Sequence, residues 1–158
     1  MAYDVYLGET LLPVTPSKLS MKIKNQNKTA ALINEGEINF LKEAGLTEIS
    51  FDVSLPNQQY TFARYPEGFR QAAYYLDKIE KLKTEKKPFR FIVSRASPSG
   101  SVMYGTNLLV SLEDYTMKED ASDALDVTVS IKLKQYREYK TKTVDIQAGE
   151  NGESKVQI

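Results

Sequence analysis

The sequence predicts a mainly β domain with one long helix, an α+β antiparallel sandwich or barrel with that helix packed on one face or end. Three observations carry the expectation. Polar–apolar alternation recurs along most of the chain, the stretch 66–86 alone switches to a helical period, and polar or proline-containing breaks separate the segments. Alternation this regular gives a sheet one buried face and one face turned outward.

Taken in order, "YDVYL" forms a strand at 3–7. "LSMKIKN" (19–25) puts Leu19, Met21 and Ile23 on one side, with Ser20, Lys22 and Lys24 on the other. The polar turn "NQNK" leads into "TAALIN", so 20–34 reads as a hairpin. "TEISFDVSLP" sets Ile49, Phe51, Val53 and Leu55 against Ser50, Asp52 and Ser54, and stops at Pro56. The helix is expected over 66–86, with Pro66 in its first turn and a buried stripe of Phe69, Ala73, Leu76, Ile79 and Leu82. "KTEKK" places cations at its negative end, and Pro88 blocks continuation. Strands resume at 89–95, followed by the turn "SPSG", a bulge expected at Gly105, and a strand at 107–117. After the break "EDASDA", "DVTVSIKLKQYREY" buries Val127, Val129, Ile131 and Leu133. Its other side carries Thr128, Ser130, Lys132 and Lys134, then Tyr136 and Tyr139. The domain is expected to span 1–146, with 147–158 a polar tail or linker.

Length and composition bound the function. A chain of 158 residues, 41% hydrophobic and 27% charged, fits one globular domain. Twenty-one basic residues offset twenty-one acidic ones, which argues against nucleic-acid recognition. No apolar run reaches the ~18–20 residues of a membrane span. "MAYDVYLGET" has no basic or apolar leader region, so synthesis in a bacterial cytoplasm without a signal peptide is expected. The chain has neither cysteine nor histidine, removing thiolate chemistry, the commonest general base and the commonest metal ligand. The expectation is a protein that is not an enzyme.

The remaining candidates for chemistry have simpler readings. Glu113, Asp114, Glu119, Asp120, Asp123 and Asp126 offer oxygen ligands, but no glycine lies among them to fold a calcium loop. Glu35 and Glu37 have the spacing of a carboxylate pair, yet nothing marks a sugar cleft. "SPSGS" lacks the Lys-Ser/Thr of a phosphate loop and the glycine before serine of a nucleophile elbow. In "KLKTEKKPFRF" the lysines suit a helix end, while Phe89 and Phe91 suit a core. No catalytic residue, cofactor or metal site is assigned. Ten tyrosines remain, a residue enriched at protein interfaces because it is rigid and amphipathic.

Four stretches occur here in one order: "EISFDVSLP", "YPEGFRQAAYYLDKIEKLKTEKKPFRFIVSR", "NLLVSLEDYTMKEDA" and "LDVTVSIKLKQYREYKTKTV". Over about 1–146 the chain resembles the N-terminal domain of LysM-carrying baseplate proteins of contractile phage tails and R-type bacteriocins. The resemblance implies a tail-tube fold of two antiparallel sheets with a flanking helix. It also implies a structural adaptor between the hub or spike and the tail tube, acting in a ring, sixfold favoured over threefold. The LysM module of such proteins does not follow "QAGENGESKVQI" in this sequence, so a glycan-binding role is not carried over. A carboxylate-based peptidoglycan hydrolase or a glycan-binding accessory module of the same particle is the rival reading. In a ring, the face of Thr128, Ser130, Lys132 and Lys134 is expected to line the lumen or meet a neighbour, with Tyr136 and Tyr139 at a subunit contact.

Overall fold

The structure, a computed structural model, describes the backbone of residues 2–123, 125–139, 145–148 and 154–157, and the side chains of 3–122 and 125–139. Its strands are β1 (Ala2–Leu7), β2 (Thr10–Leu11), β3 (Leu19–Lys22), β4 (Lys28–Leu32), β5 (Gly36–Phe40) and β6 (Glu48–Pro56). The helix α1 (Ala72–Glu85) follows, then β7 (Phe89–Ala96), β8 (Thr106–Glu119), β9 (Asp126–Gln135), β10 (Asp145–Ala148) and β11 (Ser154–Gln157). Seven strands form one antiparallel sheet in the order β2-β1-β7-β8-β9-β6-β3.

The alternation of β6 and β9 sets their register. Leu133, Ile131, Val129 and Val127 lie opposite Ile49, Phe51, Val53 and Leu55. All eight are buried on one face, together with Val5, Leu7, Phe91, Val93 and Val110. Burying each such side chain stabilises by roughly 1.5–3 kcal/mol. A one-residue slip of β9 would turn four of them to water, a loss comparable with the whole ~5–15 kcal/mol of a domain. The helix covers this face with Ala72, Tyr75 and Ile79.

The seven-stranded sheet does not close into a barrel: β2 and β3 are its edges and do not pair, and β4–β5 and β10–β11 are separate two-stranded sheets. The connection Leu12–Lys18 crosses between those edges, and the Thr15 hydroxyl on it donates to the Tyr3 carbonyl (2.6 Å). Edge to edge, Leu19 therefore shares a cavity with Val5 and Val93.

Four expectations differ in detail from the structure. The helix starts at Ala72, not Pro66, because Gly68 takes φ 95° in a turn closed by its N–H on the Tyr65 carbonyl (3.1 Å). Gln71 flanks the helix without a side-chain cap, and the Ala72 N–H instead donates to Asn57 Oδ1 (3.0 Å). Starting there, the buried stripe is Ala72, Tyr75 and Ile79, and Ala73 is exposed. Lys86 ends the helix in the left-handed region at φ 52°.

The expected 20–34 hairpin does not form. β3 pairs with β6, and β4 pairs with β5 in a separate ladder, Lys28 facing Phe40 and Leu32 facing Gly36. The bulge falls not at Gly105 but between Leu112 and Asp114. It shifts the phase of β8, so Leu112 faces Leu133 before it and Tyr115 faces Ile131 after it. Tyr115 then meets the helix, its hydroxyl donating to Glu80 and its ring lying under Lys83 Nζ at 5.3 Å. In the described C-terminal stretches β10 pairs with β11, Asp145 opposite Gln157 and Ala148 opposite Ser154.

Candidate interaction surface

The outward side of the β6–β9–β8 ladder follows from the same register. Thr128 lies between Ser54 and Lys118, and Ser130 between Asp52 and Thr116. Lys132 lies between Ser50 and Asp114, and Lys134 between Glu48 and Ser111. The structure therefore brings the four β9 candidates onto one polar face, with a carboxylate beside Ser130 and beside each lysine. The Ser130 hydroxyl donates to Asp52. Neither lysine reaches its acid: the ion pairs among the described residues are Arg64–Asp4 and Lys81–Glu85. Two shallow grooves flank Lys132, about 550 Å³ beside Lys18, Ser20, Asp52 and Ser130, and about 420 Å³ beside Lys22, Glu48, Glu113 and Lys134. Tyr136 continues past β9, half-buried, its N–H on the Leu109 carbonyl (2.8 Å), while Tyr139 is 86% exposed.

The other candidates do not converge. Glu113 and Asp114 sit at the bulge of β8, while Glu119 ends the strand, roughly 20 Å further along. Asp120 accepts from the N–H (2.9 Å) and hydroxyl (2.7 Å) of Ser122, and these bonds hold its carboxyl below the usual range. Asp126 accepts the Tyr60 hydroxyl at 3.0 Å. The side chain of Asp123 lies outside the described residues. Among those described, no three His, Cys, Asp or Glu are placed to hold a metal. Glu35 and Glu37 are exposed at the β4–β5 turn. "SPSGS" is a turn in which the Gly100 N–H donates to the Ser97 carbonyl (2.9 Å) and the Ser97 N–H to Ser101 (2.8 Å). Phe89 and Phe91 belong to the core. No helix among the described residues is long and apolar enough to cross a membrane.

The tyrosines divide. Tyr75 is buried against Tyr65 and Tyr74, and its pKa is pushed up to about 12 by desolvation first and then by those two phenols. Burial, then Asp126, raises Tyr65 as well. Tyr104 is 62% exposed.

Tyr104 marks a feature that sequence reasoning missed. Arg95 is 6% exposed at the end of β7, and its Nη1 donates to Thr106 Oγ1 (2.9 Å) and the Tyr104 carbonyl (3.4 Å). The guanidinium lies 4.4 Å from the Tyr104 ring centre and 5.8 Å from that of Tyr3. It lines a cavity of about 370 Å³ with Thr15, Ser17 and Lys18. The signal was present: Phe89, Phe91, Val93 and Arg95 alternate, so the arginine falls on the inward side of its strand.

No protein-family model matches the chain. A protein of Bacillus subtilis (strain 168), the uncharacterized protein YqbP, is 32% identical over 126 residues, or 80% of this chain and 53% of that protein. The chain thus spans about half the length of that relative. Among solved structures, a chain of the PVC sheath–tube complex, an extracellular contractile injection system in its extended state, superposes with a TM-score of 0.54. The superposition covers 85% of this chain and 84% of that one at 13% identity. The fold is that of a contractile-injection-system component.

Proposed function

We propose that this chain is a structural subunit of a contractile tail, an adaptor in the baseplate between the central hub or spike and the tail tube. The observation that carries the reading is the fold likeness to a chain of a sheath–tube complex over 85% of the sequence. The outward face of β9 supports it, because a mixed polar face beside a fully apolar one is what a subunit presents to a neighbour or a channel. The chain works by contact, not catalysis, self-associating in a ring, six copies favoured over three. Made in the bacterial cytoplasm, it is then incorporated into the phage or bacteriocin particle.

Cryo-electron microscopy of the intact particle tests the reading. Density for this chain around the tail axis at the tube–baseplate junction is the expected result, and its absence from the axis overturns it. Purified protein is expected to leave cell-wall peptidoglycan undigested; turnover abolished by substituting a Glu or Asp would establish the hydrolase instead.

A further inference from the structure

The Arg95 cavity and the acidic turn after β8 form a matched pair at opposite ends of one strand. We propose that they join consecutive copies of the chain head to tail, a carboxylate of Glu119 or Asp120 seating on the Arg95 guanidinium of the next copy. The inference rests on the ring-forming reading above and names the contact that would build the ring.

Arg95 is a cation taken out of water without a carboxylate: none of the described residues pairs with it. A buried charge left unpaired is costly, and a guanidinium fork matches a carboxylate best. Its two bonds both use Nη1. No Arg95 nitrogen is among the sealed, unpartnered side-chain atoms of the described residues, and Arg95 lines the cavity. Lys18 adds a second positive charge to its lining. The cavity is also lined by the rings of Tyr3 and Tyr104, the latter 62% exposed, and by Leu19. A buried arginine between tyrosine rings is the kind of residue that anchors a protein contact.

The other end of β8 carries the complement. Thr106, bonded to Arg95, opens the 14-residue strand, and Glu119 closes it roughly 40–45 Å away. The two ends therefore cannot meet within one copy. Near the exposed Glu119 and Asp120 in the chain are Met117 and Leu125, 46% and 56% exposed. The bonds from Ser122 hold the Asp120 carboxylate in place before docking. Two different patches on one chain make a heterologous contact, and such contacts close into rings or propagate as filaments.

Because the chain has no cysteine, an engineered pair reports the contact without background. The full chain carrying both Ser101→Cys and Ala121→Cys, oxidised at millimolar concentration, is expected to give a disulfide ladder of dimers, trimers and larger species. Each single-cysteine variant should stay unlinked. Lys18→Glu should cut the ladder at least tenfold, and so should Glu119→Gln together with Asp120→Asn, which removes both carboxylates. Folding is checked by circular dichroism, and these exposed positions spare the core. No ladder from folded protein, a ladder indifferent to Lys18→Glu, or equal dimerisation by Ala121→Cys alone overturns the proposal. A ring in the particle without the ladder sinks this joint and leaves the adaptor reading standing. A ladder from a chain absent from the particle axis sinks the adaptor reading and leaves the joint.

Discussion

The two faces of β9 show how differently one strand can be used. Val127, Val129, Ile131 and Leu133 are at most 8% exposed and complete their contacts within the chain. Thr128, Ser130, Lys132 and Lys134, on the other side, meet only shallow grooves and the polar residues of flanking strands. Stability resides on the first face and capacity for contact on the second. Because side chains alternate with period two, either face can change without the other.

The sharpest way to break that division is to damage the first face. Ile131→Ala, at a fully buried position, should cost about 2–5 kcal/mol in urea unfolding. A loss below about 1 kcal/mol would show that this face is not the core. A smaller effect belongs to the helix that covers it. Asn57→Ala removes the acceptor of the Ala72 N–H and should cost about 1 kcal/mol, the worth of an ordinary cap, with the helical signal retained at low temperature.

A third effect appears only in alkali. Tyr75 has a folded pKa of about 12 against an ordinary value near 10, so folded and unfolded chains are equally neutral below pH 10. Above that, the unfolded state ionises first, and stability falls as pH rises from 10 to 12. Tyr75→Phe should flatten that part of the pH profile and leave the midpoint at pH 7 nearly unchanged. Smallest of all, Ser130→Ala and Lys132→Gln should shift stability by no more than about 0.5 kcal/mol, read from thermal melts. A larger loss would move part of the fold's stability onto the outer face.

How far the sequence revealed these faces depended on whether the signal was local. Period-two alternation in 126–134 and 48–56 placed every core residue of β6 and β9, because one strand's pattern is enough to say which side is apolar. Partner choice is not local. Leu19, Met21 and Ile23 alternate as well in a hairpin with 28–34 as against β6, and the distant β6 wins through Leu19 on Phe51 and Met21 on Ile49. The helix start was hidden for another reason. Pro66 suits a first turn, but the positive φ of Gly68 is a turn property that apolar spacing does not reveal. With the start moved, Tyr75 replaced Ala73 on the buried face. The bulge in β8 was legible as a phase change, Leu108-Val110-Leu112 passing to Tyr115-Met117, whereas a search for glycine pointed to Gly105 instead. Of the candidate surface, the four β9 residues were legible from alternation. Their acidic neighbours Glu48, Asp52 and Asp114 required the register, and the Arg95 cavity required the meeting of both sheet edges.

The central claim is that the polar face of β9 is covered when the particle assembles. Lys132→Cys in this cysteine-free chain measures that directly through its reaction with a polymer-linked maleimide. Rapid labelling of the free chain and at least tenfold slower labelling in the assembled particle is the result expected of a lumen or subunit contact. Equal rates in the two states would place the face in bulk solvent and contradict the account.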